Sequence, residues 1–402
     1  MQKSKEARLM NLTIGQFNES FPPIVDGVAN VVKNYAFWMN KKYGKCYVIT
    51  PKHPDADDDY DFAVLRYSSV KVPIRGEYRF GLPKMDPIFW KELKQVPFDI
   101  VHAHCPFGSG YAARSIARKR GIPFVATFHS KYRDDFKEAL KSDVIVDSVI
   151  SGIAAFYESA DEVWTVNEAS AQTLREYGYR GDAFIMENGC DIDLRYRSDE
   201  SDAEVEERFG IKKGVPLFMY IGQHIWQKNL KIIIEALKIL KDRGLVFYML
   251  FIGDGPRRAD MEKMIAQYGL QSMAGFAGKI YDRDLVAKVY LRSSAMLFPS
   301  LYDTSSLVPR EAAACGCPTV FVRGSSTSQG ITGDNGFLIE NSAASLADTM
   351  EYIIKNPDKA RNVGENARAT IYRSWEDAVE KAYQRYVCLI EMKKRKTAGK
   401  AQ

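Results

Sequence analysis

The sequence predicts an α/β protein of two domains, each a doubly wound parallel sheet with helices on its faces, the pair facing across a cleft. Three observations carry that expectation. Strand-length apolar runs alternate with helix-length amphipathic stretches in both halves of the 402-residue chain. Several of those runs end in a polar loop that opens a helix, the place where open parallel sheets bind ligands. A highly charged stretch, RSDESDAEVEERFG, separates the halves and reads as a linker and cap. The boundary is placed near Arg195–Asp202, giving domains over residues 1–196 and 197–374.

Composition narrows the class. Hydrophobic residues make up 46% and charged residues 27%, as in ordinary soluble globular proteins, and the length suffices for two full cores. The net charge of +5 is a mild excess that suits acidic partners, with no nucleic-acid partner expected. No apolar run reaches the length of a transmembrane helix, and the polar N-terminus lacks the apolar core of a signal peptide. Cys46, Cys105, Cys190, Cys315, Cys317 and Cys388 show no zinc spacing and read as reduced thiols of a cytoplasmic protein.

In chain order, Leu12–Asn18 reads as the first buried strand, and the Asp26-Gly27 turn precedes a helix over Val28–Lys42. Gly27 could let backbone amides approach a phosphate, although most Asp-Gly pairs are only turns. Strands follow at Cys46–Thr50 and Ala63–Arg66; HPDADDDYD between them lacks calcium-loop spacing and reads as a solvated loop. Tyr67–Pro97 shows little periodicity and is expected to be a long loop over an acceptor site. Asp99–His104 and Pro123–His129 read as strands flanking a helix. We expect His102 and His104 to point to opposite faces of their strand, and see no convergence of the histidines into a metal triad. Lys131–Phe156 reads as one or two helices within a basic region, Arg114–Lys141, which is either a solvated face or a surface for anionic lipid. Glu162–Val166, a helix over Asn167–Tyr177 and Phe184–Met186 close the first half.

The second half opens with a strand, Pro216–Gly222, then QHIWQKNL and a helix to Arg243. Lys228, just before that helix, supplies a point charge for a diphosphate. Phe247–Gly253 is a core strand, and the apolar run Ala295–Phe298 gives way to Pro299–Pro318, a polar loop and a short alanine-rich helix. Two carboxylates, Asp303 and Glu311, lie eight apart across that junction. Helices are expected near Leu346–Lys355 and Asp358–Arg373, and a last long one over residues 375–395.

These motifs resemble those of the retaining family 4 glycosyltransferases of the GT-B fold. Pro299, Ser300, Leu307, Glu311, Ala312, Ala314, Gly316 and Pro318 match a signature with two glutamates eight apart; Asp303 replaces the first, and Ser305 and Ser306 replace a Phe-Gly pair. HAHCPF followed by TFH resembles the family's first domain, and Gly222, Lys228 and Asn229 match its G-R-x-x-x-x-K-N, with Gln223 in place of arginine. The resemblance implies that the last helix returns to the first domain. It implies that Gly27 faces the donor diphosphate, that His129 lies near the sugar, and that Asp303 contacts sugar hydroxyls. Glu311 would bond the ribose, and the segment ending at Ile280 would read the nucleobase. Gly222, Gln223, Lys228, Ser306 and Leu307 complete the implied donor-binding set. No metal or other cofactor is expected beyond the nucleotide sugar itself.

FNESFPPIVDGVANVV and HAHCPF…TFHSKY are most similar to the diacylglycerol glucosyltransferase branch. That implies UDP-glucose as donor, a glycerolipid acceptor, and an anionic membrane surface on the inner face of the plasma membrane. The departures at Gln223, Asp303 and Ser306 keep rivals in view. These are transfer to a polysaccharide or other acceptor, a degenerate non-catalytic partner subunit, and a sugar-nucleotide epimerase.

Overall fold

The fold is taken from a computed structural model that describes residues 11–24, 26–71, 78–140, 142–190, 192, 198–303 and 306–399. The chain divides into two compact units, one of residues 1–188 with 375–402 and one of residues 189–374.

The first unit is built on seven strands: β1 (Leu12–Phe17), β2 (Gly44–Pro51), β3 (Ala63–Tyr67), β6 (Ile100–Ala103), β7 (Phe124–Phe128), β8 (Glu162–Thr165) and β9 (Ala183–Ile185). They lie in the order β3-β2-β1-β6-β7-β8-β9, every pair parallel, so the direction of winding reverses between β1 and β6. Parallel strands need crossovers, and helices supply them: α1 (Gly27–Lys42), α3 (Gly108–Arg120), α5 (Asp143–Glu158) and α6 (Glu168–Glu176). Sequence sets their ends. Asp26 accepts from the Ala29 amide at 2.7 Å to cap α1, Asn167 accepts from Ser170 to cap α6, and Gly121 closes α3 in the left-handed conformation.

Tyr67–Pro97 is more ordered than its lack of periodicity suggested. It holds an antiparallel hairpin, β4 (Ser69–Lys71) with β5 (Arg79–Gly81), and a short helix, α2 (Pro87–Leu93), which starts on Pro87 with Asp86 as its cap. The hairpin strands are three residues each, too short for a period to register. Glu19 anchors the hairpin: its carboxylate accepts from the Gly81 amide, the Ser109 amide and hydroxyl, and the Tyr67 hydroxyl, all between 2.8 and 3.1 Å. Lys131–Phe156 is two helices, α4 (Tyr132–Leu140) and α5.

The C-terminal helix, α14 (Trp375–Ala398), packs on the first unit. Tyr386 stacks on Trp164 with centroids 5.3 Å apart, Tyr383 stacks on Tyr43 at 4.0 Å, and Arg385 forks onto the Glu162 carboxylate.

In the second unit the strands are β10 (Leu217–Ile221), β11 (Tyr248–Ile252), β12 (Ala274–Gly278), β13 (Ala295–Phe298), β14 (Thr319–Val322) and β15 (Phe337–Ile339). Their order is β12-β11-β10-β13-β14-β15, again all parallel. Helices cover both faces, which is why β10 reads as an unbroken apolar run. Phe218 and Tyr220 belong to one core cluster, whereas Leu217 and Met219 belong to the other. The acidic stretch between the halves is itself a helix, α7 (Asp199–Phe209), begun by a Ser198–Ser201 capping box with three acids in its first turn. Arg195 lies outside the described residues.

Candidate active site

In the second unit the winding reverses between β10 and β13, so the loops that leave these neighbouring strands lie side by side. The loop after β10 carries Gly222, Gln223 and Lys228; the loop after β13 carries Asp303 and Ser306. Gly222 has φ +153°, and its carbonyl lies where a side chain on Gly253 would begin, only 2.0 Å from that Cβ position. The loops after β10 and β11 therefore pack backbone to backbone, joined by His224 N–H to the Asp254 carbonyl. Any larger residue at Gly253 would part them.

Lys228 ends a short 3-10 turn, Trp226–Lys228, and Asn229 follows it in the left-handed region at φ 61°. The Asn229 amide donates to the Pro299 carbonyl at 3.2 Å and to Asn341 Oδ1 at 2.8 Å, fastening the first loop to the end of β13. This brings Lys228 and Asp303 together as an ion pair, with side chains only 13% and 14% exposed. The pair leaves one Asp303 oxygen, Oδ2, buried without a hydrogen-bond partner among the described residues. A buried acceptor in that condition costs on the order of 1–3 kcal/mol unless something donates to it.

Glu311 lies in the first turn of α11 (Val308–Ala314), a helix that starts on Leu307 and carries Pro309 near its start. Its Oε1 accepts from Arg283 at 2.6 Å and its Oε2 from the Tyr290 hydroxyl at 3.2 Å; both donors come from α10 (Arg283–Arg292). Ser306 Oγ accepts from the Val308 amide at 3.3 Å, a local turn that shapes the start of the helix. Ser305 lies outside the described residues. Ile280 follows β12 and, with Lys279, Tyr281 and Leu285, lines a cavity of about 250 Å³ beside α7. Gln223 is exposed, whereas Tyr220 beneath it is buried and donates to the Gln223 carbonyl at 3.0 Å.

In the first unit Gly27 begins α1, exposed, with nothing within 4 Å of where a side chain would start. The fold does not require glycine there. The histidines differ from expectation. His102 and His104 are two residues apart and share a face, because side chains alternate with a period of two. Their rings lie 4.0 Å apart and both meet Tyr35 edge-on. They also converge with His129: His104 Nδ1 is 3.0 Å from His129 Nε2, and the rings of that pair are stacked at 5.3 Å. These contacts make the cluster a hydrogen-bonded chain. Neither the contacts nor their chemistry depends on a metal.

Burial holds all three imidazoles neutral. His102 and His104 are pushed well below the ordinary range, with neighbouring histidines adding to the effect, and His129 is pushed down to about 3. The sign of the stability effect follows. An unfolded imidazole takes a proton near 6.5 and the folded His129 only near 3, so between these values acid favours the unfolded chain. Melting temperature is expected to fall as pH drops from 6.5, and His129→Gln to show a shallower decline. Equal slopes for the two proteins, measured by calorimetry, would contradict a neutral buried His129.

Sequence reasoning missed Arg283 and Tyr290, which hold Glu311, and Gln16 and Tyr386, which join the histidines. None sits in a motif of its own.

Two parallel doubly wound sheets with these loops define the class: the chain is a glycosyltransferase of the GT-B type. The family model described as Glycosyltransferase Family 4 matches residues 25–194, and the one described as Glycosyl transferases group 1 matches residues 201–370. Among curated relatives, the chain is 24% identical to an alpha-monoglucosyldiacylglycerol synthase of Streptococcus pneumoniae, over 77% of this chain and 70% of that one. It is 22% identical to the protein of the same name from Acholeplasma laidlawii, over 89% and 92%. Among solved structures, a Rickettsia africae glycosyltransferase matches with a TM-score of 0.74 at 19% identity, covering 94% of this chain and 99% of its own. Anabaena HepE in complex with UDP matches at 0.75 and 16%, covering 94% and 100%. At these identities the structural matches bear on the fold alone.

Proposed function

We propose that this glycosyltransferase moves glucose from UDP-glucose to a membrane glycerolipid such as diacylglycerol, with retention at the anomeric carbon. The acceptor hydroxyl oxygen replaces the diphosphate oxygen on that carbon, and UDP and a proton are released. The observation that carries the donor half is the Lys228–Asp303 pair with its unpartnered Asp303 Oδ2. Lys228 offers a positive charge that a departing diphosphate would use, and a sugar hydroxyl would satisfy the idle carboxylate oxygen. Glu311, oriented by Arg283 and Tyr290, is suited to accept from the ribose hydroxyls. Ser306 and Leu307 shape the loop, and Gly222 and Gln223 present their backbone beside it. The family resemblance assigns Gly27 to the diphosphate, Ile280 to the base and neutral His129 to the sugar. No metal takes part in this scheme.

The lipid half rests on the names of the relatives and on one surface. Leu140, Val144 and Ile145, at the junction of α4 and α5, are 39%, 80% and 51% exposed beside Arg133 and Lys137. Those two bases are paired with Asp147 and Asp143, so apolar insertion outweighs net charge there. No helix of the described residues is long and apolar enough to cross a membrane.

Labelled UDP-glucose incubated with the protein and vesicles of anionic lipid tests the reading. Label should enter the organic phase as an α-glucoside only when diacylglycerol is present. Label that stays in water with diacylglycerol present, while UDP is released to another acceptor, would overturn the lipid assignment.

A further inference from the structure

We propose that Gln16 is a positioning residue that fixes the tautomer of His129 through His104, and that Tyr386 of the C-terminal helix holds Gln16 in place. The proposal rests on the reading that His129 works on the donor sugar.

Gln16 stands in the middle of β1 with its side chain fully buried, so its amide must find both kinds of partner inside the protein. Its Oε1 is 2.8 Å from His104 Nε2. A carbonyl oxygen only accepts, so His104 carries its hydrogen on Nε2. The ring is neutral, which leaves His104 Nδ1 as an acceptor. That nitrogen is 3.0 Å from His129 Nε2, so His129 donates from Nε2 and keeps the lone pair on Nδ1.

The other end of the amide closes the chain. Gln16 Nε2 donates to the Tyr386 hydroxyl at 3.3 Å, and that hydroxyl donates to His102 Nδ1 at 2.5 Å. His102 therefore carries its hydrogen on Nε2 and donates to Thr127 Oγ1 at 2.6 Å. One amide orientation assigns every proton in the row. Reversing it would reverse them all and place the His129 hydrogen on Nδ1. Tyr386 is itself held by its stack on Trp164 and by the anchoring of α14 through Arg385 and Glu162. Residues 370 apart in sequence thus set which nitrogen of His129 is basic.

A packing role alone would make no such demand, and that difference is measurable. Nitrogen NMR of the full chain labelled in its 5 histidines reads each tautomer directly, with His129→Gln identifying the His129 signals. Wild-type His129 should show hydrogen on Nε2 and none on Nδ1, which requires no variant to fold. Gln16→Met removes the acceptor and should give mixed tautomers. Its kcat should drop about tenfold to a hundredfold while KM for UDP-glucose changes little, the scale expected of a misplaced proton. Gln16→Glu restores an acceptor for His104 Nε2–H and should restore the Nε2–H signature. Hydrogen on Nδ1 in the wild type, or an unchanged Nε2–H in Gln16→Met, would overturn the relay. A lost signature with an unchanged transfer rate would instead remove His129 from the reaction, a failure of the proposed function and not of the relay.

Discussion

Replacing Asp303 with alanine is expected to lower sugar transfer by at least about a hundredfold, while Asp303→Glu retains measurable turnover. The expectation comes from the two oxygens of the carboxylate. One is paired with Lys228, and the other is buried with no donor among the described residues. Hydrogen bonds from sugar hydroxyls to a charged acceptor contribute about 1.5–3 kcal/mol each, so losing two of them accounts for the drop. Alanine has a second consequence: Lys228 loses its partner in a site where it is only 13% exposed. Breaking such a pair costs up to roughly 3 kcal/mol, less if the lysine can reach water. Melting temperature should therefore fall with activity in Asp303→Ala, whereas Asp303→Glu keeps a carboxylate beside Lys228. Steady-state kinetics with a melting curve for each variant separates the two losses. Wild-type turnover by Asp303→Ala would take the residue out of the site.

Glu311→Ala should weaken UDP binding by about tenfold to a hundredfold, the equivalent of one or two charge-assisted hydrogen bonds. The surroundings sharpen the prediction. Arg283 is 57% exposed and can turn to solvent when its partner is gone. Tyr290 cannot: it is fully buried, and its other contact, to the Val308 carbonyl, is a long 3.4 Å. The alanine variant should thus also lose stability, by about 1–3 kcal/mol for the stranded hydroxyl. Glu311→Gln keeps acceptors for both donors and should fall between wild type and alanine. Unchanged UDP affinity in Glu311→Ala, measured by calorimetry, would end its assignment to the nucleotide.

The architecture was legible because it is written locally. Apolar runs, the caps Asp26 and Asn167, and the loop chemistry around Lys228 and Asp303 each lie within a few neighbouring residues. What stayed hidden depends on distance in sequence. Arg283 reaches Glu311 across 28 positions, and Gln16 reaches Tyr386 across 370, with nothing in either neighbourhood to announce it. The hairpin of β4 and β5 escaped notice because three-residue strands carry no period. The placing of His102 and His104 on opposite faces was of another kind, since alternation along a strand puts residues two apart on one face. Once they share a face, convergence with His129 on the neighbouring strand follows from the parallel pairing of β6 and β7.

The account stands on a nucleotide-sugar site in the second unit, and titration of UDP-glucose into the wild-type protein by calorimetry tests that most directly. A single saturable site is expected, bound also by UDP and weakened in both Lys228→Ala and Glu311→Ala. No binding of UDP-glucose, UDP or GDP by the folded protein would contradict it and would favour a glycosyltransferase fold kept as a non-catalytic subunit.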